Sequence, residues 1–202
     1  MKKRRLTLKK ITEKLLQIKD EQLQKYERFN IYCQDESRIG LLTQSHKALT
    51  IKGVKPLCRY QHKFDNVYLF GAFSPITGKH LLLELPHCNT DNFQAFLNEL
   101  SKTDSEEFKI VVLDNGAFHK AKRLQVPSNI ALVFLPPYSP ELNPAEKVWW
   151  VLKRQLKNKF FKTMEALQAD ITSAVKRLSN DSILQLTSFH YLTNAYKTIF
   201  NS

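Results

Sequence analysis

Long apolar runs are absent from this sequence. No stretch of about 18 apolar residues is available to span a bilayer, and the basic start Lys2-Lys3-Arg4-Arg5 leads into a polar amphipathic run instead of the apolar region of a signal peptide. The expectation is a soluble, cytoplasmic protein with no membrane partner. Cysteine is scarce too: Cys33, Cys58 and Cys88 are odd in number and widely spaced, without the paired spacing of a zinc site, and read as reduced core thiols. His87-Cys88 has no second Cys/His pair nearby. Internal repeats and low-complexity tracts are missing. Acidic residues are in short supply, 19 against 31 Lys and Arg, and the resulting net charge of +12 suits a polyanionic partner.

The shortage is local. Residues 1–30 carry 10 basic side chains against 4 acidic, residues 147–202 carry 9 against 3, and the centre balances at 12 against 12. A neutral core has basic flanks. At 202 residues and 43% hydrophobic, the chain suffices for one domain with appendages.

Taken in order, Leu8, Ile11, Leu15, Leu16, Ile18 and Leu23 predict an amphipathic helix from Leu6 to about Tyr26. Asn30 to Asp35 reads as a short strand closed by Asp35, with a polar turn over Glu36-Ser37-Arg38. Residues 46–63 read as irregular, with a turn at Lys52-Gly53-Val54-Lys55-Pro56. Val67–Phe73 and His80–Leu85 read as strands joined through Pro75-Ile76-Thr77-Gly78. Asn89-Thr90-Asp91 offers caps for a helix ending near Lys102. Lys109–Leu113 is a buried strand ending in Asp114, followed by a short helix from Phe118 to Leu124, a strand over Ile130–Leu135, a helix from Ala145 to about Asn158 and further helices. The order β-β-β-α-β-α-β-α predicts an α/β fold, a mixed sheet of about five strands with helices on both faces.

Half of the eight prolines fall within nine residues: Pro136, Pro137, Pro140 and Pro144. They forbid regular structure until Pro144, which suits a helix start and puts Glu146 in the opening turn. Asp35 and Asp114 each end a predicted strand, so Glu146 can close a triangle of carboxylates. Clustered carboxylates repel one another unless a cation sits between them, and oxygen-only ligation selects magnesium or manganese. Two such ions support phosphodiester displacement. Turn chemistry and the helix dipole also favour these residues at these places. Strand alternation lets only one of Asp35 and Glu36 face such a site, and periodicity does not say which. His119 reads as a helix-surface or capping histidine, and Trp149 and Trp150 as packing residues.

Gln34-Asp35-Glu36-Ser37-Arg38, Val112-Leu113-Asp114-Asn115-Gly116-Ala117-Phe118-His119 and Leu135-Pro136-Pro137-Tyr138-Ser139-Pro140-Glu141-Leu142-Asn143-Pro144-Ala145-Glu146-Lys147-Val148-Trp149 resemble the three catalytic motifs of DDE transposases. The nearest likeness is to the mariner-related bacterial insertion-sequence group. The resemblance implies a ribonuclease-H-like fold and a two-ion Mg2+ or Mn2+ site held by Asp35, Asp114 and Glu146. Asn115, His119, Tyr138 and Asn143 match accessory positions, and Lys147, Lys153, Arg154 and Lys157 are candidate DNA contacts. The implied partners are double-stranded DNA at transposon ends and a target TA step, a second copy in a dimer on DNA, and a separate helix-turn-helix polypeptide at the nucleoid. The expected layout is a basic helical extension over 1–29, the endonuclease over 30–178 and a helical tail over 179–202. The interval from Asp114 to Glu146, shorter than is usual in the family, implies a trimmed helix or loop after His119. The alternatives are a catalytically silent remnant that binds DNA or inhibits full-length transposase, and a cellular ribonuclease-H-like nuclease.

Overall fold

The β-branched and aromatic runs pair into a single five-stranded sheet in the computed structural model of the protein, which describes residues 2–42, 51–54, 61–157 and 159–200. The strands are β1 (Arg28–Gly40), β2 (Asn66–Phe73), β3 (His80–Leu85), β4 (Glu107–Leu113) and β5 (Ile130–Phe134), in the spatial order β3-β2-β1-β4-β5. The meander β1-β2-β3 is antiparallel, whereas β4 and β5 run parallel to β1. The helices are α1 (Lys2–Gln22), α2 (Thr90–Lys102), α3 (Ala145–Leu156), α4 (Met164–Lys176), α5 (Asn180–Thr187) and α6 (His190–Phe200).

Helix α2 covers one face. Its Phe93, Phe96, Leu97 and Leu100 pack on Tyr32, Phe70, Ala72, Val111 and Leu113, and Asn89 caps it by accepting from the Asn92 N–H at 2.9 Å. The other five helices share the opposite face. Ile11, Leu15 and Ile18 of α1, Val148, Trp149 and Leu152 of α3, and Leu192 and Ile199 of α6 join Ile31, Cys33, Ile110 and Val112 in one core. Helices α1 and α6 touch each other, and the Tyr196 hydroxyl donates to the Phe29 carbonyl at 2.9 Å.

At the amino-terminal end of the parallel strands, the buried Glu107 accepts from Tyr32 Oη at 2.8 Å, Lys79 Nζ at 3.0 Å and Asn30 Nδ2 at 3.2 Å. A buried carboxylate demands such partners, and this one sits at the point where Arg28 pairs with Glu107 to start the β1–β4 register.

Three expectations change. Strand β1 does not close at Asp35 but runs on to Gly40, because β2 continues to pair with Glu36, Ser37 and Arg38 after β4 has ended. Pairing overrides the turn preference of these polar residues. The expected helix over 118–124 is a single 3-10 turn, Ala117–Lys120. Helix α3 stops at Leu156. In the 46–63 segment a turn is present at Lys52-Gly53, while Lys55, Pro56 and Cys58 lie outside the described residues. Cys33 is buried and Cys88 half-buried, both free.

Gly71 on β2 pairs with Asp35. A Cβ there would lie 2.7 Å from Trp149 Cη2 and 2.6 Å from the Phe73 ring. Only a glycine lets the indole approach β2 this closely. Gly71→Ala is expected to destabilise the fold by about 1–3 kcal/mol through overpacking, measured by urea unfolding.

Candidate active site

Strand register brings the carboxylates together. Cys33 is level with Val112 in the last pair of the β1–β4 ladder, and Asp35 and Asp114 each stand two residues beyond it. Side chains alternate along strands, and Cys33 and Val112 both point into the five-helix face. Asp35 therefore faces α3, and Glu36 faces α2. Strand β4 ends at Leu113 while β1 runs on, which opens a cleft at the carboxyl edge. Its volume is about 510 Å³, and Asp35, Asp114, Asn115, Tyr138, Asn143 and Glu146 are among its lining residues.

Each acidic group is held differently. Asp35 Oδ2 accepts from the Trp149 indole N–H at 2.9 Å, a polar role for a side chain expected only to pack. Asp114 is 61% exposed at its side chain, and its Oδ1 accepts from the Gly116 N–H at 2.8 Å. Glu146 stands exposed in the first turn of α3. Asn143 sets the distance between α3 and β1: its Nδ2 donates to the Gln34 carbonyl at 2.9 Å, and its Oδ1 accepts from the Ala145 N–H at 3.1 Å. The proline corner is anchored from outside by Tyr191, whose hydroxyl donates to the Leu142 carbonyl at 2.5 Å. Asn115 donates to the Leu135 carbonyl and accepts from Lys120, which ties the Asp114 turn to the end of β5.

His119 is neither a surface nor a capping residue. It is 2% exposed, wedged between Phe93 and Phe118, and its Nε2 lies 3.0 Å from Glu36 Oε1. A carboxylate only accepts, so Nε2 donates. Nδ1 lies 3.0 Å from Asp114 Oδ1 but off the hydrogen-bonding direction, which leaves it buried without a hydrogen bond. Glu36, also bound by Gln34 Nε2 at 2.6 Å, thus meets the Asp114 turn from behind the sheet.

The cleft is electrostatically unbalanced. Burial, then the Glu146 and Glu36 carboxylates, push the Asp35 carboxyl up to about 8. Burial and the negative charge of Glu36, Asp114 and Asp35 likewise push the Cys88 thiol up to about 11. Among the described residues no cation pairs with Asp35 or Glu146. This donor set of oxygens under mutual repulsion fits a hard divalent cation. The three carboxylates line the cleft without closing into a cage: among the described residues no three His, Cys, Asp or Glu side chains converge tightly enough to hold an ion.

Of the expected DNA contacts, Lys147, Lys153 and Arg154 lie on α3 and Lys157 directly after it, all outside the cleft lining. Lys147 Nζ sits 4.5 Å from the Phe189 ring centroid, and the Arg154 guanidinium 5.2 Å from that of the exposed Trp150. Lys153 and Lys157 border a small pocket of about 60 Å³ together with Arg38 and Lys159. No described helix is long and apolar enough to cross a membrane.

A raised carboxyl pKa means that the folded protein keeps a proton which the unfolded chain releases near pH 4. The stability contributed by protonated Asp35 is complete below about pH 4 and is lost as pH rises to about 8. In EDTA, the melting temperature of Asp35→Asn is therefore expected to exceed that of wild type by a margin that widens from pH 5 to pH 8. A second expectation concerns Glu36. Glu36→Ala leaves buried donors on His119 and Gln34 without an acceptor and should cost about 1–3 kcal/mol in urea unfolding.

Comparisons with known proteins agree with this architecture. The family described as DDE superfamily endonuclease matches residues 30–168. Uncharacterized protein y4pE/y4sA of Sinorhizobium fredii (strain NBRC 101917 / NGR234) is 39% identical over 113 residues, covering 55% of this chain and 84% of that protein. The catalytic domain of Mos1 mariner transposase superposes with a TM-score of 0.55 at 16% identity over 96% of this chain and 90% of that one. The Mos1 mariner paired end complex with Mn gives 0.61 at 17%, over 96% and 61%. The chain thus spans about three fifths of the longer Mos1 polypeptide, and the shared fold is ribonuclease-H-like.

Proposed function

Because the chain belongs to the DDE superfamily endonuclease family, we propose that it is the catalytic domain of a DNA transposase, with Asp35, Asp114 and Glu146 as its metal-binding catalytic residues. The observation that carries this reading is the meeting of Asp35, Asp114 and Glu146 in one cleft just past the end of the β1–β4 ladder, with no cation paired to Asp35 or Glu146 among the described residues. Two Mg2+ or Mn2+ ions bound there would activate a water or a 3′-hydroxyl and stabilise the leaving oxygen of a phosphodiester.

The chain's own residues supply position. Trp149 holds one oxygen of Asp35 and leaves the other for the cleft, Gly116 turns Asp114 toward it, and Asn143 fixes the start of α3 against β1. Lys147, Lys153, Arg154 and Lys157 put positive charge along α3 beside an acidic cleft, an arrangement suited to a polyanion whose backbone lies on the helix while one phosphate enters the site. The substrates are double-stranded transposon ends, cut by hydrolysis, and a target DNA, at a TA step, joined by strand transfer. Pairing two ends calls for a dimer on DNA. The catalytic unit is assigned to residues 30–178, with 1–29 and 179–202 as appended helices.

The test is nicking of a labelled terminal-repeat duplex in Mg2+ or Mn2+. Asp114→Asn and Glu146→Gln are each expected to lower cleavage at least 1,000-fold, on the order of 4 kcal/mol of transition-state stabilisation, while DNA binding stays within a few-fold of wild type and falls steeply with salt. Cleavage by wild type that survives both substitutions, or loss of binding together with cleavage, would sink the assignment.

A further inference from the structure

Tyr138 is the one described non-glycine residue held at positive φ, 55°, and its side chain is fully exposed. The left-handed conformation is unfavourable for a bulky side chain, because its Cβ crowds the following carbonyl. Such strain persists where the surroundings impose it. Here Pro136, Pro137 and Pro140 restrict the backbone on both sides, and the corner is tied down by the contacts of Asn143 and Tyr191.

Folding gains nothing from this ring. It packs against no other ring, and its hydroxyl has no hydrogen-bond partner among the described residues. Yet the strained turn presents it at the lining of the cleft that holds Asp35, Asp114 and Glu146. The exposed aromatic on α3, Trp150, is engaged by Arg154, whereas Tyr138 offers both ring faces. A flat, rigid, unpartnered π-surface next to a site suited to a phosphodiester matches a nucleobase, whose face stacks on an aromatic ring irrespective of sequence.

We propose that Tyr138 is a substrate-binding residue that stacks on the nucleobase next to the scissile phosphate, splaying the DNA end so that its backbone reaches the carboxylates. The proposal rests on the reading of the cleft as a DNA-cleaving site. Its chemistry is non-covalent: base stacking on one side is exchanged for stacking on the tyrosine ring.

The test compares wild type with Tyr138→Asn and Tyr138→Phe on a nicked duplex carrying 2-aminopurine at the 3′ end of the nick, in Ca2+. Asparagine tolerates the left-handed conformation but has no ring. Wild type and Tyr138→Phe are expected to give the same change in 2-aminopurine fluorescence. Tyr138→Asn should lose that change and bind about 5- to 150-fold more weakly, with a melting temperature no lower than wild type. Wild-type fluorescence and affinity in Tyr138→Asn, or a lowered melting temperature that accounts for weaker binding, would overturn the stacking role and leave the cleavage assignment standing if wild type still cuts. A wild-type protein that binds no DNA overturns both.

Discussion

The unequal length of the two central parallel strands governs the rest of the molecule. Strands β1 and β4 pair from Arg28 to Cys33 and then part, β1 staying in the sheet against β2 and β4 turning away at Asp114. In open α/β sheets, binding crevices form beyond the carboxyl ends of parallel strands where neighbouring connections diverge. Here that divergence comes directly after the last paired residues, so the two aspartates, each two residues past that pair, share one opening. Had β4 continued for two more residues, sheet hydrogen bonding would have filled the space that the cleft occupies.

Around this opening the protein uses polar contacts made by otherwise packed residues. Trp149 contributes to the core with its rings and steadies Asp35 with its N–H. Asn143 is 4% exposed and satisfies a strand carbonyl and a helix N–H at once, which is what a buried amide must do and also what couples α3 to β1. Behind the sheet, Glu36 and His119 link the α2 layer to the Asp114 turn. Gly116 leaves room for this: a Cβ there would lie 3.0 Å from His119 Nδ1 and 3.1 Å from Asp114 Oδ1. Two layers of the fold thus converge on one small set of oxygens.

Much of this was legible in the residues. The apolar runs named all five strands, the Asn89 cap and its apolar period gave α2 nearly to the residue, and the proline corner located the start of α3. The motif likeness picked out Asp35, Asp114 and Glu146, which do line one cleft. Register was not legible. Without knowing that Cys33 is level with Val112, alternation could not choose between Asp35 and Glu36, and the polar string after Asp35 looked like a turn because its partner strand lies 30 residues away. His119 was misjudged for the same reason: its hydrogen-bond partner Glu36 comes from a strand 83 residues earlier in the chain. Gly71 carried a usable signal, since a glycine inside an apolar strand marks a close approach, but nothing local said that the approaching group was an indole.

Helix α1 lies along the open β5 side of the sheet with a fixed polarity. Near its carboxyl end Lys19 donates to the Ile199 carbonyl of α6, by the closed, amino-terminal end of the strands, whereas Ile11 and Lys14 border a groove with Phe134, Pro136 and Pro137 at the end of β5. The helix is in effect an outrigger: it braces α6 at one end of the strands to the proline corner at the other.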